Sequence, residues 1–119
     1  MTKNVLVVIE DLFFAVKIQH AAKQLGAEVR MIKDYDAALA AAETSPAIIV
    51  LDLNCLRARP LDLAAELKAR ESTRAIPLIG FVSHVMTELR ADASAAGCDK
   101  VYARSKFSSD LPKILAEFL

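Results

Sequence analysis

Carboxylates stand where two apolar runs stop. Ile48-Ile49-Val50-Leu51 leads into Asp52, Leu53 and Asn54, and Val5-Leu6-Val7-Val8-Ile9 leads into Glu10 and Asp11. A short aliphatic run with no polar face suits a strand buried on both sides. If two such parallel strands are neighbours, their carboxyl ends bring Glu10, Asp11 and Asp52 to one rim, where open α/β sheets bind ligands. Carboxylates crowded there repel one another, and a hard divalent cation relieves the repulsion. Mg²⁺ takes oxygen ligands and keeps several waters, so Glu10, Asp11 and Asp52 with the backbone carbonyl of Asn54 are a candidate donor set. Such a cation would also screen a phosphoryl group approaching Asp52, which could attack it as a nucleophile.

Plainer readings stand beside these. Glu10 and Asp11 equally suit the N-terminus of a first helix, which favours negative charge. Ser83 and His84 suggest a nucleophile and its base, but adjacent residues point in different directions and no third group orients them. They read as loop residues at a strand exit. Arg104 is either a phosphate partner or a salt-bridge partner of Asp52. His20 reads as a solvated helix residue. Phe13 and Phe14 cannot both face the core from one helix, so Phe13 is expected at the surface near the acidic rim.

The elements that must position these groups follow from the pattern. Phe14, Ile18, Ala21 and Leu25 mark an amphipathic helix over 12–25, stopped by Gly26. Glu28 to Ile32 alternates like an edge strand. Asp34 caps a helix from Tyr35 to about Glu43, and Ser45-Pro46 ends it. Ala47 to Asp52 is a strand, 54–59 a loop, and Pro60 opens a helix to about Arg70. Leu78 to Val82 is a strand after Pro77. Thr87 to Ala96 is a helix ended by Gly97, and Lys100 to Ala103 a last strand. Leu111, Ile114, Leu115 and Phe118 give a closing helix face, capped by Ser108 or Ser109.

Strands alternating with helices across short loops require parallel strands, right-handed crossovers and helices on both faces. The expectation is a doubly wound α/β domain over residues 1–119, with five strands in the order 2-1-3-4-5.

Composition narrows the class. Of 119 residues 55% are apolar and 25% charged, as in a folded protein, and 15 basic residues balance 15 acidic ones. That balance gives no general attraction to nucleic acid or an anionic membrane. No apolar run approaches the roughly 20 residues of a membrane span. The N-terminus lacks a signal-peptide cleavage site. Cys55 and Cys98 lie far apart without metal-ligand spacing, so a reduced, cytoplasmic protein with unreactive thiols is expected.

Taken together, the acidic cluster after Leu6-Val7-Val8, Leu51-Asp52-Leu53-Asn54, Ile76-Pro77, Val82-Ser83-His84 and Gly97-Cys98-Asp99 resemble the receiver domain of two-component response regulators, in order and spacing across the whole chain. The resemblance implies that Asp52 accepts a phosphoryl group from a histidine kinase and that the acids after the first strand bind Mg²⁺. It implies a hydroxyl and a lysine that contact the phosphoryl group, and an aromatic switch that re-presents one face to a partner. The chain departs from that pattern. Glu10 replaces the principal metal-binding aspartate and Ile9 the acid before it. Counting from Asp52 without gaps, Val82 takes the hydroxyl position, with Ser83 one residue late. Arg104 takes the lysine position and Ser105 that of the usual proline. Pro77, Gly97 and Arg104 agree with this count. Anchoring on Phe107 instead would make Ser105 the lysine equivalent and Tyr102 the switch. Cys55-Leu56 stand in place of the family's proline, and Pro60 stands where a glycine is usual.

Two functions follow as expectations. One is a phosphorylatable receiver in a phosphorelay; the other is a degenerate receiver, kept as an interaction module without phosphotransfer. Neither is an enzyme in the ordinary sense. The partner is a histidine kinase or another signalling protein, with no nucleic acid or membrane, and self-association into a homodimer is compatible with both. With no output domain after Leu119, such a chain would act by binding other proteins, or it is part of a longer one. A flavin binder of the same topology is disfavoured, because Glu10 to Phe14 offers charge and bulk where a phosphate wants a glycine-rich loop.

Overall fold

A computed structural model describes residues 3–83 and 86–119. Strands β1 (Lys3–Val8), β2 (Ala27–Ile32), β3 (Ile48–Asp52), β4 (Leu78–Val82) and β5 (Lys100–Ala103) form one parallel sheet in the order β2-β1-β3-β4-β5. Helices α1 (Leu12–Gln24), α2 (Tyr35–Ala42), α3 (Pro60–Ala69), α4 (Thr87–Ala96), α5 (Arg104–Ser109) and α6 (Leu111–Ala116) connect and close it. The expected topology is the observed one.

Alternation along the strands divides the core. Leu6, Val8, Ile49, Leu51 and Leu78 face α2, α3 and α4, with Ala38, Leu63, Ala64, Leu67 and Ala93 packed on them. Val5, Val7, Ile48, Val50, Ile79 and Phe81 face the other way, against Phe14 and Ile18 of α1, Phe107 of α5, and Leu111, Ile114 and Leu115 of α6. β3 and β4 are buried at every position, which is why their sequences are apolar throughout except for Asp52 at the end of β3.

The helix ends follow local chemistry. Asp11 and Asp34 cap α1 and α2, accepting from the backbone N–H groups of Phe14 at 3.1 Å and Ala37 at 2.9 Å. Gly26, at φ 77°, turns the chain after α1. Leu25, expected in the buried stripe, is instead the C-cap of that helix and 39% exposed. Phe13 is 92% exposed while Phe14 is buried, as their adjacency requires.

The C-terminal helix differs from expectation. Helical structure starts directly after β5 at Arg104, so Ser108 and Ser109 lie inside α5 and cap nothing. The chain breaks at Asp110 and resumes as α6, with Pro112 in its first turn and no side-chain cap. Continuing α5 would press the Pro112 ring against the carbonyl of Ser108, four residues earlier, and Pro112 has no N–H to offer it. On the outer strand β5, the Nη2 of Arg90 in α4 donates to the carbonyl of Val101 at 3.0 Å. Among the described residues, no helix is long and apolar enough to cross a membrane.

Candidate functional site

Asp52 closes β3, in register with Phe81 of β4. It is only 4% exposed, and its Oδ1 accepts the backbone N–H of Asn54 at 2.9 Å, which turns the chain out of the sheet. Burial pushes the Asp52 carboxyl above its ordinary range. The Asn54 N–H and the positive charge of Arg104 oppose that shift, and the charges of Asp11 and Glu10 add to it. The three acids therefore do share one rim, close enough to feel one another.

Asp11 is fully employed there. Its Oδ1 caps α1, and its Oδ2 accepts from Nη2 of Arg104. The Phe14 N–H is the main cause that holds the Asp11 carboxyl below its usual range, and Arg104 adds to it. Arg104 was expected to meet Asp52 or a phosphate. It pairs with Asp11 instead, and among the described residues Asp52 has no ion-pair partner. The reason is aromatic. The Arg104 guanidinium carbon lies 4.5 Å from the ring centre of Phe14 and 5.8 Å from that of Phe81. A cation resting on Phe14 meets the carboxylate three residues earlier on the same helix.

Beneath it the rings form a stack. Phe14 and Phe81 lie 4.7 Å apart, Phe81 and Phe107 5.0 Å, and Tyr102 tilts against Phe107 at 5.8 Å. Tyr102, the alternative switch residue, is half-buried on β5, beside Phe81 in the sheet.

The remaining candidates are spread around the rim. Glu10 is largely exposed and faces Arg57 at 3.7 Å, a weak surface pair to a loop residue that the sequence pattern did not single out. The Asn54 amide bridges two loops, with Nδ2 donating to Sδ of Met86 at 3.0 Å and Oδ1 accepting the Ser83 N–H at 3.4 Å. Val82 is 1% exposed and has no hydroxyl to offer. Ser83 follows it, half-buried. His84 lies outside the described residues.

The loop after Asp52 holds one 3₁₀ turn, Leu56–Ala58, where a plain loop was expected. It ends at Arg59, which takes φ 48° immediately before Pro60. Proline cannot adopt a positive φ, so the left-handed turn falls on Arg59, at a cost of about 1 kcal/mol. The Arg59 guanidinium carbon sits 4.4 Å over the Tyr35 ring, and Nη2 pairs with Asp62 at 3.2 Å. Cys55 and Cys98 are buried free thiols, and burial raises both, Cys98 to about 11.

The rim acids as arranged do not fit a divalent ion. Asp11 has both oxygens committed, Glu10 turns toward Arg57, and Asp52 gives one oxygen to Asn54. Among the described residues, no group of three or more His, Cys, Asp or Glu side chains is placed to hold a metal.

No protein-family model matches the sequence, and no curated protein sequence matches it. Solved structures do. A response regulator from Hahella chejuensis superposes with a TM-score of 0.88 at 18% identity, over 99% of this chain and 96% of that one. The receiver domain of a sensor histidine kinase from Pseudomonas aeruginosa, with a magnesium ion coordinated in its active-site cleft, gives 0.85 at 21% identity, over 99% and 98%. A chemotaxis response regulator of Vibrio cholerae gives 0.85 at 19% identity, over the full length of both chains. The chain thus has the receiver fold of response regulators.

Proposed function

We propose that this chain is a receiver-like signalling module that acts by binding other proteins, and that its output does not require phosphorylation of Asp52. It is not an enzyme in the ordinary sense. The observation that carries this reading is Val82. The side chain beyond Phe81, at the end of the strand beside Asp52, is a buried valine, so a phosphoryl group on Asp52 would find no hydroxyl donor there. A charge added to Asp52 would then lack the contact through which it could bias a neighbouring surface. The partner is a histidine kinase or another signalling protein.

The position of Asp52 favours a second reading, in which it accepts a phosphoryl group. It is a buried carboxylate at the carboxyl edge of the central strand, where a charge is costly unless it serves a purpose. The discriminating experiment is incubation with Mg²⁺ and a small phosphodonor, followed by intact mass, beside Asp52→Asn. An unchanged mass is expected. A gain of one phosphoryl group, abolished by Asp52→Asn, would replace the first reading with the second.

A further inference from the structure

We infer that Arg104 is a built-in competitor of divalent cations, and that the rim acids gain a metal site only when the Arg104–Asp11 pair is opened. The inference rests on the reading above only in taking Asp52 as the centre of the rim. It concerns what fills the space between Glu10, Asp11 and Asp52.

Three features hold Arg104 in place. Its backbone begins α5, whose Phe107 is fully buried in the ring stack, so the Cα cannot drift from the rim. Its guanidinium lies on Phe14 and near Phe81. Its Nη2 donates to Asp11, whose other oxygen is already fixed by the Phe14 N–H. Cation, ring and carboxylate thus belong to one locked unit at the first turn of α1.

That unit supplies what a metal would otherwise supply, a fixed positive charge among acids. An incoming divalent ion meets a like charge at a pair about one-third exposed, where repulsion is stronger than in bulk water. It also finds Asp11 unable to turn toward it without giving up either the helix cap or the arginine. Among the described residues, Glu10, largely exposed and held by the weak contact to Arg57, and the second oxygen of Asp52 are the donors left over. Removing the guanidinium releases one Asp11 oxygen to join them.

The test is direct binding. Wild type and Arg104→Gln are titrated with Mn²⁺, and the paramagnetic broadening of backbone amide signals is followed. Arg104→Gln is expected to bind at least about tenfold more tightly than wild type, with broadening centred on Asp11, Asp52 and Asn54. Adding Asp52→Asn should remove the gain. Arg104→Met keeps an apolar side chain over Phe14 and serves in the same comparison if the glutamine variant is not folded. Equal affinity in wild type and a folded Arg104 variant, whether both bind or neither does, overturns the inference. Because the readout is metal occupancy, the result is independent of whether Asp52 takes a phosphoryl group.

Discussion

Lys68, in the last turn of α3, holds Asp99 at the entry to β5, with Nζ 3.0 Å from Oδ2. The same carboxylate oxygen accepts the backbone N–H of Leu78, the first residue of β4, at 2.8 Å. The ammonium also donates to the carbonyls of Arg74 at 3.2 Å and Ile76 at 3.0 Å, so all three of its protons are used. One lysine therefore ties α3, the connector after it, and the starts of two strands together. Lys68→Met keeps the packed stem and deletes the charge. It should lower stability by about 1–3 kcal/mol in urea unfolding. Lys68→Arg should recover only part of the loss, because a planar fork cannot reach the same acceptors.

Gly97 depends on the same lysine. Its φ is 127°, and a Cβ there would fall 2.6 Å from Cγ of Lys68. Gly97→Ala should cost more than about 1 kcal/mol in the same assay, from backbone strain and contact together. A loss below about 0.5 kcal/mol would show that the turn relaxes freely.

Asp52 and Asp11 should respond to acid with opposite signs. The Asp52 carboxyl is raised by burial, so the folded state holds its proton more tightly than the unfolded chain does. Its contribution to stability falls as pH rises from the unfolded value through the higher folded value, and is flat above. Asp52→Asn should therefore be more stable than wild type near neutrality, with a gain that shrinks as the solution is acidified. Unfolding curves at several pH values between about 4 and 7 measure this directly. A gain independent of pH would contradict it.

The Asp11 carboxyl is lowered, chiefly by the Phe14 N–H and then by Arg104. Its contribution is present above the unfolded value and is lost as pH falls through the folded one. Asp11→Ala should cost about 1 kcal/mol at neutral pH through the missing cap. The ion pair adds little, since both side chains are about one-third exposed. Asp11→Asn keeps a cap acceptor and should lose less. The difference between wild type and Asp11→Ala should narrow in acid.

Phe13 and Phe14 offer the sharpest contrast. Phe13→Ser alters a side chain that is 92% exposed and should change stability by no more than about 0.5 kcal/mol. Phe14→Ala opens the stack with Phe81 and Phe107 and should cost about 3–5 kcal/mol. Thermal unfolding of the two variants side by side distinguishes them.

How much of this was legible in the sequence depends on how local the cause is. β3 and β4 announce themselves because a strand buried on both faces has no polar position before its end to confuse the pattern. Thr87–Ala96 and Lys100–Ala103 have the bounds that their pattern suggests, with Gly97 between them. Glu10, Asp11 and Asp52 reach one rim because parallel strands end on one side. The Arg104 partner was hidden, since the contact of its guanidinium with the Phe14 ring, which sets it beside Asp11, joins residues far apart in the sequence. The break at Asp110 was masked by Leu111, Ile114 and Leu115, whose spacing continues a helix face even though Pro112 forbids one continuous helix. Arg57 and Arg59 sit on a loop, where periodicity carries no information.

The bond from Arg90 to the carbonyl of Val101 has a consequence for the molecule among its own copies. An outermost strand is ordinarily a template on which another chain can lay its own backbone. Here one of the acceptors on β5 is already engaged by a guanidinium from the preceding helix, and Lys100 adds an exposed charge beside it. A foreign strand would have to displace the first and desolvate the second before its ladder could begin. The sheet is thereby guarded on that flank against growing into a filament.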